Sequence, residues 1–433
     1  MRAGKQRQRL ILALFSAAIG MPQIAHGQTT ELAPPDDGFL RDRNTTVIER
    51  IQPGYEQVPV PLGGFDLYPS FTAGPVYDDN VFAQPVNTKS DVYGLLRTDL
   101  DVQSHWSRNF LQATGFVEYD GYAKLTDESS LQRGATIDGR LDISHGFYLT
   151  GYVTYQNLVE PRSDSGAPTF TKHPVQYDEI IFDGQLSKTW NRLRLQVNAK
   201  SDSDAYDTAE TPSGAPVFLQ FRNVDVYTIT SRLEYAVTPD TSVFVEVIGN
   251  DHVYNSQMGD PSNFDRNSHG YELAGGVSTD LTNLLRGELS LGYLSQSFKD
   301  PRLPTEGGLG ARGELVFFPS GLTNITLDGS RTYEESPLAQ APLYLASDVG
   351  LRFDHELLRN VLLFARASYE EDAYINLART DKRPQLELGG NYKMNRWLAW
   401  KFDYRHLKSS SVGVDAGDGF KDDRVALTLT ARL

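Results

Sequence analysis

The most regularly spaced chemical groups in this 433-residue sequence are oppositely charged side chains two positions apart. They are Arg97 and Asp99; Asp138, Arg140 and Asp142; Arg232 and Glu234; Arg286 and Glu288; Arg312 and Glu314; Arg352 and Asp354; and Lys401, Asp403 and Arg405. Residues at i and i+2 lie on the same face of a β-strand, so each set predicts a charged face. Such a face is costly in lipid, where one Arg at the bilayer midplane costs about 2–4 kcal/mol, but it can face water. We therefore predict that these residues line the polar pore of a membrane-spanning protein.

Other reactive groups do not form a recognisable catalytic or metal-binding pattern. The 8 histidines are scattered, without an HExxH pair, and Gly307–Gly310 is not followed by the Lys-Ser/Thr of a phosphate-binding loop. The Tyr77-Asp78-Asp79-Asn80 stretch carries oxygen ligands, but it lacks EF-hand spacing and favours an Asx turn. We predict no catalytic residue, no metal and no cofactor. A barrel enzyme built around a loop histidine such as His252 or His269 is the less favoured alternative.

The segments that must position the charged faces alternate with a period of two from Phe65 to Leu433. In residues 136–143 one face carries Ile137, Gly139, Leu141 and Ile143, while the other carries Thr136, Asp138, Arg140 and Asp142. The same alternation recurs in residues 111–119, 193–199, 227–237, 349–353, 386–392 and 425–433. Segments of about 10 to 14 residues are typical of transmembrane β-strands and longer than most strands of soluble sandwiches.

The connections between these segments alternate between short and long. Short turns are predicted at residues 107–109, 145–146, 191–192, 239–240, 282–283, 319–321, 359–360 and 395–396, and long loops at 78–90, 125–130, 161–176, 202–223, 254–268, 299–307, 333–342, 372–383 and 407–421. Eight short turns and nine long loops join about eighteen strands, with sixteen as the alternative. This predicts an all-β, antiparallel up-and-down barrel whose two ends lie on the short-turn side, which is the periplasmic side of outer-membrane barrels.

The first 64 residues differ from the rest. Residues 1–27 combine four basic residues, an apolar run and Ala25-His26-Gly27, the layout of a cleavable secretory signal. Residues 28–64 are rich in Pro, Asp, Glu and Gln, and predict a mostly extended periplasmic lead-in. With 0 Cys, the chain uses neither disulfides nor thiolate chemistry.

The overall charge is acidic. The formal net charge of −15 becomes −19 once the predicted signal is removed, leaving 37 basic against 56 acidic residues. Nucleic acid is therefore an unsuitable partner, because phosphate binding needs an excess of basic residues. In a pore, the same excess of acid favours the passage of cations.

Aromatic residues and the last segment also suit a membrane barrel. Trp106, Trp190, Trp397 and Trp400 all lie close to predicted short turns, as in an interfacial aromatic girdle. The final segment alternates Val425, Leu427, Leu429, Ala431 and Leu433 with polar residues. It therefore predicts a last strand that engages the outer-membrane barrel assembly machinery, although Leu433 stands where such strands usually end in Phe.

Residues 61–83 read Pro-Leu-Gly-Gly-Phe-Asp-Leu-Tyr-Pro-Ser-Phe-Thr-Ala-Gly-Pro-Val-Tyr-Asp-Asp-Asn-Val-Phe-Ala. This stretch resembles the opening of the putative β-barrel porin 2 family of proteobacterial outer-membrane proteins. Residues 47–50, followed by Pro53 and Tyr55, are similar to that family's lead-in. The resemblance covers about forty residues. It implies an outer-membrane barrel in a Gram-negative cell, in contact with lipopolysaccharide. Because some relatives are associated with exopolysaccharide production, it also implies export components as possible partners.

We therefore predict a porin-like channel for hydrophilic solutes or a secreted exopolysaccharide. The main alternative is a non-conducting structural or assembly barrel, plugged by its lead-in or by long loops.

Overall fold

The computed structural model describes residues 45–282 and 284–433. The predicted signal (1–27), residues 28–44 of the lead-in and Asn283 of one predicted turn lie outside the described residues. The helices of the described part are two single 3₁₀ turns, Thr126–Glu128 and Gln220–Arg222. No helix in these ranges is long and apolar enough to cross a membrane.

Eighteen long strands make up the described part of the chain from Phe65 onward, which confirms the predicted number. They are β1 (Phe65–Asp78), β2 (Asp91–Ser104), β3 (Phe110–Tyr122), β4 (Ser130–Ser144), β5 (Phe147–Val159), β6 (Gln176–Trp190), β7 (Leu193–Tyr206), β8 (Val224–Thr238), β9 (Thr241–Tyr254), β10 (Ser268–Thr282), β11 (Leu285–Phe298), β12 (Glu306–Ser320), β13 (Thr323–Glu335), β14 (Leu343–Leu358), β15 (Val361–Tyr374), β16 (Thr380–Lys393), β17 (Leu398–Val412) and β18 (Phe420–Arg432). A three-residue strand, Val60–Leu62, pairs with the start of β1, and a small hairpin pairs Ala209–Glu210 with Pro216–Val217.

Each long strand pairs antiparallel with its neighbours in sequence, and the sheet closes on itself where β1 pairs with β18. At this seam the register runs from Ser70 opposite Arg432 to Asp78 opposite Arg424. The pairing skips Gly74 and Pro75, where a Cβ on Gly74 would lie 2.1 Å from the Leu427 carbonyl oxygen. Glycine is therefore required for the two backbones to approach at the seam. Closure leaves the sheet without a free edge, as a membrane-spanning sheet must be.

The two faces of the sheet differ as the alternation predicts. One face carries exposed apolar side chains such as Leu96, Val117, Ile137 and Leu141, each about half accessible. The opposite face carries the charged residues, many of them buried, for example Glu118 at 2% exposure. The four Trp side chains lie at or near the short-turn end and are 36–49% exposed.

The predicted long loops were too long at several strand ends. β7 continues to Tyr206, β15 continues to Tyr374, β16 begins already at Thr380 and β17 continues to Val412. In these extensions polar residues predominate on both faces, as in Ser201 to Asp204, so the apolar alternation that marks the lipid-facing part of a strand is lost. The backbone ladder nevertheless continues beyond the apolar band, because hydrogen bonding between strands does not depend on side-chain polarity.

Candidate pore and its charged wall

Several predicted charge pairs form within their own strands. Arg97 lies 2.8 Å from Asp99, Arg140 lies 2.9 Å from Asp142, Arg352 lies 2.9 Å from Asp354 and Lys401 lies 3.2 Å from Asp403. Asp138 lies directly opposite Gln112 of β3 on the same face. The i, i+2 rule therefore identified real contacts in β2, β4, β14 and β17.

Other predicted residues find their closest partners on different strands. Arg232 makes two hydrogen bonds of 2.6 Å to Glu288, three strands away, and lies 3.9 Å from Glu234. Arg312 binds Glu246 at 3.1 Å and Glu272 at 2.9 Å. Arg405 binds Asp422 at 2.6 Å, and Arg286 lies 3.4 Å from Glu49 of the lead-in. Ion pairs between different strands thus connect the charged residues of the wall.

Glu314 lies in a row of three acidic residues. It is directly opposite Glu288 on one side and Asp328 on the other. Arg232 binds Glu288, while Arg366 binds Asp328 through two hydrogen bonds of 2.7 and 2.8 Å. Like charges in a row destabilise a sheet, and the two guanidinium groups at its ends relieve this repulsion.

The sequence analysis missed several members of this wall. Glu118 binds Arg97 at 3.0 Å, Arg194 binds Glu234 at 2.9 Å, and Arg424 binds Asp78 at 2.7 Å. Glu118 and Arg194 have no oppositely charged residue two positions away, whereas Arg424 has Asp422, at 3.9 Å, a pair that the predicted sets did not include. The strand register, counted outward from each short turn, is the signal that would have identified them.

Small residues leave room for the long cross-strand contacts. A Cβ on Gly310 would lie 3.0 Å from the Glu272 carboxylate oxygen that Arg312 binds. A Cβ on Gly276 would lie 2.2 Å from the Phe244 ring, over which the Arg232 guanidinium stacks at 3.6 Å. Glycines at these two positions therefore allow the charged side chains to lie along the wall.

At the long-loop end, residues 160–175 between β5 and β6 cross the barrel, and we call this segment the bridging loop. Arg162, which is buried, binds Glu128 at 2.7 and 2.8 Å. The Ser163 carbonyl accepts a 3.0 Å hydrogen bond from Arg383 of β16, and Ser165 binds Tyr374 of β15 at 2.8 Å. These strands lie ten and eleven positions beyond β5, on the opposite side of the barrel.

The bridging loop also limits the width of the barrel at this end. Ser163 is four positions beyond the end of β5 at Val159, and a step of four positions spans at most about 14 Å. Other loops pack against it: Val175, Leu219, Phe221 and Ala339 form an apolar cluster. The long-loop end is therefore narrowed by a loop that crosses it and by the loops packed against that loop.

Two charged pairs stand in the loops at this end. Burial opposes the charge on Arg222, but the Glu160 carboxylate, 2.6 Å away, outweighs it and raises the pKa of Arg222 above its ordinary value. In the loop between β11 and β12, hydrogen bonds from Arg302 lower the pKa of Asp300 below its usual range. Both pairs therefore remain charged near neutral pH.

At the short-turn end, residues 45–57 lie along the wall, and we call this segment the inner belt. Its contacts follow the wall from β13 round to β1. Val47 N–H donates to Asn324 of β13 at 2.8 Å, Arg50 binds Glu356 of β14 at 2.9 Å, Glu56 binds Lys393 of β16 at 3.0 Å and Gln57 donates to the Pro69 carbonyl of β1 at 2.7 Å. The belt therefore covers a large part of the circumference at this end, held by hydrogen bonds and ion pairs.

Comparison with known proteins gives one family match. The family model described as "Putative beta-barrel porin 2" matches residues 52–433, which include every barrel strand. No curated protein matches the sequence.

Several solved structures are similar to this chain. Pseudomonas aeruginosa OpdK, crystallised with vanillate, has a TM-score of 0.46 at 10% identity, over 85% of this chain and 98% of that one. Pseudomonas aeruginosa OccK2 (OpdF) has a TM-score of 0.44 at 13% identity, over 85% and 98%. The siderophore receptor PirA from Pseudomonas aeruginosa has a TM-score of 0.44 at 9% identity, over 87% and 81%.

Proposed function

This chain belongs to the putative β-barrel porin 2 family, and from that premise we propose that it is a narrow outer-membrane channel for small hydrophilic solutes that favours cations. The observation that carries the proposal is the arrangement of the charges. Arg97, Arg232, Arg312 and Arg366 bind carboxylates of the same or nearby strands, so their side chains lie along the wall. A wall of this kind offers a continuous polar surface to water and to solutes.

Cation preference follows from the charge that remains after pairing. The four acidic residues Glu49, Glu288, Glu314 and Asp328 share three guanidinium groups, those of Arg232, Arg286 and Arg366. The chain as a whole carries 56 acidic against 41 basic residues. A pore with excess acid raises the local concentration of cations. In this proposal the predicted lining residues, from Arg97 to Arg405, form the pore wall.

The test is electrical. The purified full chain is inserted into planar bilayers, and its conductance and its reversal potential in a KCl gradient are measured. We expect discrete conductance steps and a reversal potential on the cation-selective side, reduced in Glu314→Gln. The matched control is Asp300→Asn, in the loop between β11 and β12, which should leave selectivity unchanged. A protein that inserts without conducting would overturn the proposal.

A non-conducting barrel is the second candidate, because the bridging loop crosses one end of the barrel and the inner belt lies along the wall at the other. A secreted exopolysaccharide would likewise need the bridging loop to withdraw from β15 and β16. Conductance that appears only after removal of residues 45–57 would favour a barrel closed by its belt. Conductance of the intact chain would favour the channel.

A further inference from the structure

Three carboxylates meet on neighbouring strands near the long-loop end. Glu179 of β6 lies directly opposite Asp204 of β7, and Asp202 is two residues along β7 on the same face. One carboxylate oxygen of each residue lies within 4.8 Å of those of the other two. Like charges directly opposite each other destabilise a pair of strands, so this arrangement calls for a compensating cation.

The compensation within the described residues is incomplete. Lys200 lies 3.0 Å from Oδ2 of Asp202, and Gln156 donates a hydrogen bond to Glu179. Asp202 is 9% exposed, and its Oδ1 is buried without a hydrogen-bond partner; Oδ1 of Asp204 is buried and unpartnered in the same way. Buried carboxylate oxygens without a donor are strongly unfavourable unless a cation or a proton occupies the space between them.

A second acidic cluster shows the usual solution. Asp78, Asp79 and Asp422 are equally close together, but Arg424 binds Asp78 at 2.7 Å and Arg405 binds Asp422 at 2.6 Å. Two guanidinium groups thus supply the positive charge there. The cluster of Glu179, Asp202 and Asp204 has one direct ion pair, from Lys200, for three carboxylates, and the more distant charge of Arg222, which also acts on Asp204, is paired with Glu160.

We propose that Glu179, Asp202 and Asp204 bind a Ca²⁺ ion. The donor set contains only carboxylate oxygens, which suit hard divalent cations and not the softer transition metals. Ca²⁺ accepts six to eight oxygen ligands in irregular geometry, with waters in the remaining positions, whereas Mg²⁺ demands a near-ideal octahedron. Three carboxylates fixed on two neighbouring strands therefore match Ca²⁺ better than Mg²⁺.

The ion joins β6 to β7 below the bridging loop. Glu179 is the fourth residue of β6 and Asp204 is two residues before the end of β7, where the loops begin. Next to them, Tyr177 lies opposite Tyr206, their rings stacked with centroids 5.1 Å apart. Bound Ca²⁺ removes the repulsion across this hairpin and stabilises the part of the wall at which the bridging loop ends.

The test measures ion binding to the full chain in detergent after EDTA treatment. Titration calorimetry with CaCl₂ should give one ion per chain. Terbium should bind at the same site, with luminescence sensitised by Tyr177 and Tyr206 and displaced by Ca²⁺. Glu179→Gln and Asp204→Asn should each lower the affinity at least about tenfold, because each removes one of three anionic ligands.

A stability measurement separates loss of the site from misfolding. In EDTA, Asp204→Asn should unfold at a higher temperature than the unmodified chain, because the substitution removes repulsion, but Ca²⁺ should no longer raise that temperature. The matched control is Asp79→Asn in the other acidic cluster, which should keep both Ca²⁺ binding and Ca²⁺-dependent stabilisation.

The proposal is overturned if the unmodified chain binds no Ca²⁺, if Asp204→Asn and Glu179→Gln both keep full affinity, or if Asp79→Asn loses binding equally. None of these results depends on conductance, so the Ca²⁺ site and the channel stand or fall separately.

Discussion

Replacing Arg383 with Ala should release the bridging loop from the opposite wall. Arg383 is 3% exposed and donates a 3.0 Å hydrogen bond to the Ser163 carbonyl. Its guanidinium also lies 3.6 Å from Glu370 and 3.9 Å from Asp164 of the loop. Without it, two carboxylates face each other across the point where the loop touches β16.

The size of the effect follows from the burial of this contact. Removing one partner of a buried ion pair costs about 3–5 kcal/mol, because the remaining charge stays desolvated. At about 1.4 kcal/mol per tenfold change, the ratio of docked to undocked loop falls by roughly two to three and a half orders of magnitude. The double variant Arg383→Ala/Asp164→Asn should recover part of this loss, since it also removes one of the facing charges.

The assay uses a single introduced thiol. The chain has 0 Cys, so Ala167→Cys in the bridging loop gives a reporter without background. We expect faster maleimide labelling and a higher time-averaged conductance in the Arg383→Ala background. The matched control is Arg302→Ala, which breaks an arginine–carboxylate pair in another loop where the arginine side chain is 54% exposed. Solvent screens such a pair, so labelling should not change.

Equal labelling rates with and without Arg383 would refute the assignment of this contact as the one that holds the loop across the barrel. Equal effects of Arg383→Ala and Arg302→Ala would do the same, because a general loss of stability would then explain both.

Three further predictions concern the seam, the inner belt and one loop. Gly74→Ala should lower barrel stability by about 1–3 kcal/mol, because the added Cβ would lie 2.1 Å from a β18 carbonyl oxygen. Gly94→Ala, with open space around it, should leave stability unchanged, and heat-modifiable migration on gels compares the two variants. Asn324→Ala should leave the buried Val47 N–H without its acceptor, at a cost of about 1–3 kcal/mol. Faster tryptic cleavage of the inner belt at Arg50 would show that the belt is released, and unchanged cleavage would contradict the contact. Since the pKa of Asp300 is lowered in the folded state, its stabilising effect is complete above the ordinary aspartate value of 3.8 and is lost only as the pH falls through the lower folded value. The hydrogen-exchange protection of residues 299–305, taken relative to the intrinsic exchange rate at each pH, should therefore stay constant from neutral pH down to the ordinary value of 3.8, and an earlier loss of protection would refute the pairing.

Much of the fold follows from the sequence because the two patterns that define it, side-chain alternation and loop-length alternation, can each be seen in short stretches of the chain. Alternation of apolar and charged residues marks each strand, and the change between short turns and long loops sets the antiparallel order, so the eighteen strands were predictable. Charge pairs at i, i+2, such as Arg352 with Asp354, were predictable for the same reason, since both side chains leave one strand on one face.

Contacts between strands depend on register and closure. The pairing of Arg232 with Glu288, three strands away, requires the curvature of the closed wall and the space left by Gly276. The meeting of Glu179 with Asp204 could have been found by counting back from the short turn at residues 191–192. The lack of a donor to Oδ1 of Asp204 depends instead on every neighbouring side chain.

The sequence by itself determined that these strands have one lipid-compatible and one charged face, because side-chain alternation is a property of each strand alone. Only the tertiary structure decided where the lead-in and the long loops go. Arg383 and Ser163 are 220 residues apart in the chain, and Asn324 and Val47 are 277 apart, so no local pattern links them. They meet because closing the barrel brings β5 opposite β16 and leaves polar groups on the inner wall that must find partners.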